Sequence, residues 1–505
     1  MVIILGVLAV VFLLLNRYTR FITLFLLLIT ITIEIGYRNL SDLGFGYGDA
    51  LLILNENGLA NEALKSYGSQ FLLPFFKSLL FISLLFFYTR KLYLKYSIFV
   101  GVVLFTVALG ISYSIMKISN GVRIAYPAII KEPVILFYAA NNKLYIGKRK
   151  NVNIVAKTPL IKHIIYIVDE SIRGDKLEIN GFNKNTTPFL ETRKKNFYNY
   201  GVASSGGVCS SYSNSILLTG IQPKQLPDIE NISRKNPIIF QYARNAGFKT
   251  SFFDMQNSRE KLNNFFQPTD LSNYVDYSFF IGEDYKKTYK IYQKDLIGLK
   301  KLKDYIFKHK DDYTFSYFIK EGCHFSYTDK YPKNREIFKP VLSSDGWGEW
   351  NLKIRSKFLN TYYNCLNWAV DNFFKTIFKQ LNNTDTLIIY TSDHGQNLMD
   401  NLTIKQTHCA KGPAPKEMAK VPLFLIPMNQ KVHNYLKTLY RKENYNHCSH
   451  FNIFGSLLIL MGYDKSQVNK LYGKTLFDNL SKQKRIFTSG DIFGRSKMYK
   501  NKFDE

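Results

Sequence analysis

Three polar stretches carry residue types that can do chemistry together: VDES at 168–171, SSGGVCSSYSNSILLTG at 204–220 and TSDHG at 391–395. The first and third each close an apolar run, IIYIV and LIIY, of the kind that forms a buried strand. Charged groups at the end of such a strand are costly to desolvate and need a partner. Taken singly, Asp169 with Glu170 and Asp393 with His394 read as strand-end caps or salt bridges. Taken jointly, Glu170, Asp393 and His394 supply two carboxylates and an imidazole, which with one hydroxylate complete a tetrahedral zinc site. The middle stretch supplies the hydroxyls, six serines in all. It turns into an apolar helix over 211–219, and the free N–H groups and dipole at a helix start favour an anionic oxygen there. The chemistry these types allow is attack by a metal-activated hydroxyl.

Such groups need a scaffold, and the chain downstream of 159 supplies one. Short continuous apolar runs at 163–169 (HIIYIVD), 248–254 (FKTSFFD), 314–320 (TFSYFIK), 386–392 (TLIIYTS) and 421–426 (VPLFLI) read as strands buried on both faces. Amphipathic helices fall between them, notably over 355–380. Strand and helix in alternation predict an α/β domain with a mostly parallel sheet and helices on both sides. In such a sheet the chemistry collects at the carboxyl ends of the strands, where the acids and the imidazole lie.

Upstream the pattern changes to four apolar runs, Val2–Leu15, Phe21–Ile35, Phe71–Phe87 and Ser97–Met116. They predict a transmembrane helical domain over 1–116. No basic segment precedes the first run and no small-residue cleavage site follows it, which argues against a signal peptide. Arg17 and Arg20 lie between runs one and two, and Arg90, Lys91 and Lys95 between runs three and four, whereas 37–70 holds more acids than bases. The positive-inside rule therefore puts 37–70 and everything after Met116 outside. It also faces the first residue outward, an arrangement that one further preceding helix would normalise. Residues 117–158 are mixed and basic and read as a linker along the membrane. The formal net charge is +28, but no zinc-finger spacing, RNP-like stretch or basic heptad accompanies it, which argues against nucleic acid. Five cysteines, an odd number without a CxxC, allow one or two disulfides whose pairing stays open.

In their order, VDESIRGD, NGFNKNTTPFLE, the hydroxyl run, QNSREK, EGCHFSY, YTSDHG and THCAKGPAPKEMAKVPLF resemble the alkaline-phosphatase and sulfatase superfamily. Within it the chain is most similar to the membrane-bound lipid A phosphoethanolamine transferases of Gram-negative envelopes, and APKEMAKVP is the most specific stretch. The resemblance spans about 160–505. It implies an alkaline-phosphatase-like α/β/α sandwich in the periplasm, on a multi-pass inner-membrane anchor. Two alignments, one to the transferases' hydroxyl run and one to the sulfatase pattern ending in Leu-Leu-Thr-Gly, both put Ser210 at the nucleophile position, with neighbouring Cys209 as its rival. Glu170, Ser210, Asp393 and His394 are then the ligands of one Zn2+, and a second metal stays open.

His324 and His408 match two family histidines beside the phosphoryl group. Lys261 matches a lysine near the bound phosphate, with Ser258 beside it. His450 fits a position before the last long helix and reads as structural, while Asn55, Glu56, Asn57, Asn61 and Glu62 lie in the external loop that meets the lipid headgroup in the family. The resemblance implies phosphatidylethanolamine as donor, an envelope glycan such as the lipid A or core sugar of lipopolysaccharide as acceptor, a membrane-lipid environment, no nucleic acid and a monomer.

Departures are also visible. Serine replaces the family's threonine, and Gly206 and Ile216 stand where the family has a cystine around the nucleophile. Tyr212 and Asn214 replace the proline and arginine that formylglycine sulfatases need. The competing enzyme reading is a phosphoglycerol transferase of the lipoteichoic acid synthase or periplasmic glucan type, with Mn2+; outside enzymes, it is an inactive scaffold.

Overall fold

The run HIIYIVD has side chains that alternate between two faces, and both faces are apolar, so it can only sit inside a layered domain. The computed structural model describes residues 17–41, 68–89, 127–141, 147–257, 267–282, 288–343, 352–494 and 497–505, with isolated positions between 44 and 54 and between 103 and 114. Two units cluster separately, one built mainly from residues up to Leu144 and the other from Tyr145 onward.

The second unit holds a seven-stranded sheet. Its strands are β1 (His163–Asp169), β2 (Tyr198–Ser204), β3 (Lys249–Asp254), β4 (Tyr277–Phe280), β5 (Thr314–Ile319), β6 (Thr386–Ser392) and β7 (Lys420–Pro427). They lie in the order β2-β7-β6-β1-β5-β3-β4. β1 pairs in parallel with both β5 and β6, and β3 with both β4 and β5, while β7 alone runs against its neighbours. The five strands expected from apolar runs are all present. β2 and β4 are additional: YNYGVAS has no continuous apolar run, and YSFF is a short, partly exposed edge.

Alternation along β1 feeds two cores. Ile164, Tyr166 and Val168 pack into one with the helices Ile239–Asn245 and Ile453–Leu460. Ile165 and Ile167 pack into the other with Lys294–Lys308 and the long helix that begins at Leu352. The architecture is an α/β/α sandwich. The helix expected over 355–380 runs from Leu352 to Leu381 with a π segment at Asn367–Asn372. A π segment loosens the carbonyl ladder, and Lys320 Nζ donates to the Ala369 carbonyl within it.

In the first unit, helices Arg17–Ser41 and Ser69–Thr89 contain apolar windows, Arg20–Asn39 and Phe71–Tyr88, of mean hydropathy 1.8 and 2.0. Both are long and apolar enough to cross a bilayer. They meet through Leu24, Leu28 and Ile82 and leave Phe21, Phe25, Leu72 and Phe76 on the outside. Within the stretch read as a linker lies a helix, Ala128–Asn141, whose Lys131 pairs with Glu34 of the first helix. Of the four expected spans, Val2–Leu15 lies outside the described residues, as does Ser97–Met116 apart from isolated positions. Asn55, Glu56, Asn57, Asn61 and Glu62 lie outside them too.

Candidate active site

The register of β1 on β6 places Asp169 opposite Ser392, so the next residues of each chain, Glu170 and Asp393, leave the sheet side by side. The two adjacent acids of VDES divide the work. Asp169 turns back into the sheet: its Oδ1 accepts the Glu170 N–H at 2.9 Å, and its Oδ2 takes the Tyr390 hydroxyl at 2.8 Å and the Lys320 ammonium. Gly322 packs against this corner, where a Cβ would lie 2.3 Å from Asp169 Oδ1, and its φ of +52° is one that glycine tolerates. Glu170 faces outward. Its Oε1 accepts from Ser171 Oγ at 2.6 Å, and its Oε2 from Gln256 Nε2 at 3.2 Å and from Ser210 Oγ at 3.1 Å.

Asp393 Oδ1 accepts the backbone N–H groups of Ser171 and His394, at 3.0 and 2.7 Å. Its Oδ2 is buried and accepts no hydrogen bond among the described residues. His394 Nδ1 lies 2.8 Å from the Gly395 carbonyl, which can only accept, so Nδ1 carries the proton and the lone pair on Nε2 points into the site. That Nε2 is 3.1 Å from Ser210 Oγ and 3.4 Å from both Glu170 Oε1 and Asp393 Oδ2. One ligand atom from each of Glu170, Asp393 and His394 lies within 4.8 Å of the others.

This donor set fits a divalent metal ion. Burial alone would raise the Glu170 carboxyl, yet the imidazoles of His394, His324 and His408 around it hold it below the usual carboxylate range. Burial and the Glu170 charge push Asp393 well above the usual carboxylate range. Two buried carboxylates this close do not both stay charged without a cation. Oxygen and imidazole donors in threes, with a fourth oxygen adjacent, are also what zinc takes.

Ser210 opens the helix Ser210–Thr219, with Cys209 in extended conformation at its N-cap and no side chain capping it. Ser213, one turn in, fixes the helix to β6 by donating to the Asp393 carbonyl at 2.5 Å. His450 braces the same join, with Nδ1 at 3.0 Å from Ser213 Oγ and Nε2 at 3.2 Å from Thr391 Oγ1. Gly206 faces Ile216, so that a Cβ on the glycine would lie 2.8 Å from Ile216 Cδ1; the isoleucine fills the gap that the missing side chain leaves.

Cys209 is bonded to Cys409, and Cys323 to Cys365, leaving Cys448 as a buried free thiol. This corrects the reading of Cys209 as a rival nucleophile, because a sulfur held in a disulfide has no thiolate to offer.

Both expected histidines come to the site. His408 stacks on His394, with ring centroids 4.5 Å apart and planes 17° apart, and its centroid is 6.1 Å from that of His324. Burial, with His394 beside it, holds His408 well below the ordinary imidazole range. His324 Nδ1 lies 2.7 Å from the Phe325 carbonyl, which leaves Nε2 as its free nitrogen. Ser258 and Lys261 lie outside the described residues. Gln256 and Lys320 were not singled out in the sequence. The strand-end rule could have found both, since Lys320 directly follows β5 and Gln256 lies two residues beyond β3.

Known proteins resemble this chain in sequence and fold. The Sulfatase family profile matches residues 162–463. The Kdo(2)-lipid A phosphoethanolamine 7''-transferase of Salmonella typhimurium is 22% identical over 335 residues, which covers 64% of this chain and 55% of that protein. The chain thus spans about half the length of the curated relatives it matches. The integral membrane lipooligosaccharide phosphoethanolamine transferase A (EptA) of Neisseria meningitidis shares the fold, with a TM-score of 0.65 and 18% identity over 90% of this chain and 86% of that one. The periplasmic domain of EcEptC from Escherichia coli, solved as a complex with Zn, gives a TM-score of 0.57 and 15% identity over 71% of this chain and 97% of that one.

Proposed function

Because the chain belongs to the Sulfatase family and sets one serine hydroxyl among two carboxylates and an imidazole, we propose that it is a metal-dependent phosphoethanolamine transferase with Ser210 as nucleophile. The observation that carries this reading is Ser210 Oγ, 3.1 Å from both Glu170 Oε2 and His394 Nε2 at the start of a helix. Glu170, Asp393 and His394 would hold Zn2+ with Ser210 as the fourth ligand. When bound, such an ion lowers the pKa of a coordinated hydroxyl by several units.

Ser210 Oγ attacks the phosphorus of phosphatidylethanolamine. The bond from phosphorus to the diacylglycerol oxygen breaks, diacylglycerol leaves with a proton, and phosphoethanolamine stays as an ester on Ser210. In the second half-reaction a hydroxyl or phosphate oxygen of the acceptor displaces Ser210, which regains its proton. His324 and His408 donate hydrogen bonds to the phosphoryl oxygens or carry these protons, and the family resemblance assigns Lys261 and Ser258 to phosphate binding. The free N–H groups at the start of the helix stabilise the same oxygens.

The curated relatives are named for Kdo(2)-lipid A, which supports lipopolysaccharide as acceptor, at its lipid A or a core sugar. Two apolar helices and two disulfides support a multi-pass inner-membrane protein whose catalytic domain faces the oxidising periplasm. The charge of +28 suits anionic lipid and phosphorylated glycan.

Mass spectrometry of the intact and digested protein after incubation with vesicles of phosphatidylethanolamine and phosphatidylglycerol tests the reading. One phosphoethanolamine group on the peptide containing Ser210 is expected. A phosphoglycerol adduct formed from phosphatidylglycerol instead would replace this function with the competing transferase.

A further inference from the structure

Two of the groups placed in the machinery above sit immediately beside the two ends of one disulfide. Ser210 follows Cys209, His408 precedes Cys409, and Cys209 is bonded to Cys409 across 200 residues of sequence. The nucleophile is carried by the start of a helix, whereas His408 is carried by a stretch, 407–415, with neither helix nor strand. The backbone of Cys409 has a φ of +58°, a left-handed conformation that costs a residue with a Cβ about 1 kcal/mol. That conformation is held from both sides: Cys409 N donates to the Val208 carbonyl at 2.7 Å, and its sulfur is bonded to the residue after Val208. The loop therefore docks edge-on to the nucleophile's own turn, which is where the His408 ring stacks on His394.

We propose that the Cys209–Cys409 disulfide is a positioning element that fixes His408 relative to Ser210, so that the rate of group transfer depends on it while metal binding does not. This rests on the reading of Ser210 and His408 as parts of a transferase. Its physical basis is the difference in what holds the two sets of groups. Glu170 and Asp393 follow strands paired along their whole length and need no help to meet. A histidine on an irregular loop samples many positions unless it is tied down, and a misplacement of about 1 Å in such a group can cost on the order of 100-fold in rate. The bridge removes that freedom at the residue next to the ring. Cys323–Cys365 sits beside His324 in the same way but joins its loop to the long helix and not to the nucleophile.

The test uses full-length protein and the double variant C209A/C409A. Zinc content by atomic emission should equal wild type, KM for phosphatidylethanolamine should stay within about twofold, and kcat should fall at least about 10-fold. The same kcat ratio is read with bis(p-nitrophenyl) phosphate, a soluble diester, so that a wrong lipid donor and a wrong role for the bridge give different results. Wild type inactive on lipid but active on the diester overturns the donor alone.

A double variant with normal kcat overturns the proposal, as does one that loses zinc in step with activity, because the bridge then supports the whole site. If the double variant does not fold, wild type reduced and re-closed with dibromomethane decides. Each thiolate displaces one bromide, leaving a methylene between the sulfurs. The re-closed protein should keep its turnover in reductant, and protein capped with iodoacetamide should lose it; equal rates would contradict the role assigned.

Discussion

The proposed metal ligands and the groups proposed to surround the phosphoryl site are built by different means. Glu170, Asp393 and His394 follow the ends of β1 and β6, whose parallel register sets Asp169 against Ser392 and brings the next residues together. His324 and His408 come from loops, each beside a half-cystine, and Cys409 sits in a left-handed backbone. A parallel sheet positions residues at no cost beyond its own pairing, whereas loop residues need covalent or polar ties. The comparison teaches that the metal triad should tolerate changes in the loops, and that the loops should be sensitive to changes the triad ignores.

The sharpest way to break the comparison is at the triad itself. Glu170→Ala, Asp393→Ala or His394→Ala each removes one of three protein ligands, and zinc and transfer should be lost together, with a drop in turnover of about 1,000-fold or more. Zinc content and transfer measured on the same preparations check this, and full occupancy with normal activity in any of the three would refute the assignment.

How far the sequence alone reaches follows the same division. The triad was legible because its residues end continuous apolar runs, and the sheet was legible for the same reason at β1, β3, β5, β6 and β7. β2 escaped because Asn199 and Gly201 interrupt it, and β4 because an exposed edge needs no apolar run. The disulfide pairing was not legible, since bridges spanning 200 and 42 residues depend on which loops the sheet brings together. Asp169 read as a strand-end cap or salt-bridge residue and pairs with Lys320, but the identity of that partner was not legible, since it depends on which strand the sheet sets beside β1.

That pair supplies the next prediction. Burial pushes Asp169 up to about 6 even with Lys320 beside it, and Lys320 also satisfies the π segment at Ala369. Lys320→Met breaks a fully buried pair, which typically costs about 3–5 kcal/mol. Denaturant unfolding should show a loss of that size, and the remaining folded fraction should still bind zinc, because Lys320 touches none of the ligands. A stability unchanged within error would show that Asp169 does not depend on it.

A smaller effect sharpens the contrast from the other side. Gln256 Nε2 bridges Glu170 Oε2 and the Lys320 carbonyl at 3.2 and 2.7 Å, so it orients a ligand without being one. Gln256→Ala should weaken metal affinity by about 10- to 100-fold, the usual cost of losing such a support, with little change in folding. Competition with a zinc chelator measures it, and an unchanged affinity would remove Gln256 from the site.

The most direct test of the central claim is the pair Ser210→Ala and Ser210→Thr, measured for zinc content and for the covalent phosphoethanolamine adduct in one experiment. The account predicts that Ser210→Ala, a change at the first helical residue with no capping hydrogen bond to lose, keeps its fold, retains most of its zinc and forms no adduct, while Ser210→Thr binds zinc and forms the adduct with its own hydroxyl. An adduct on Ser210→Ala, at Ser211 or any other residue, would contradict it.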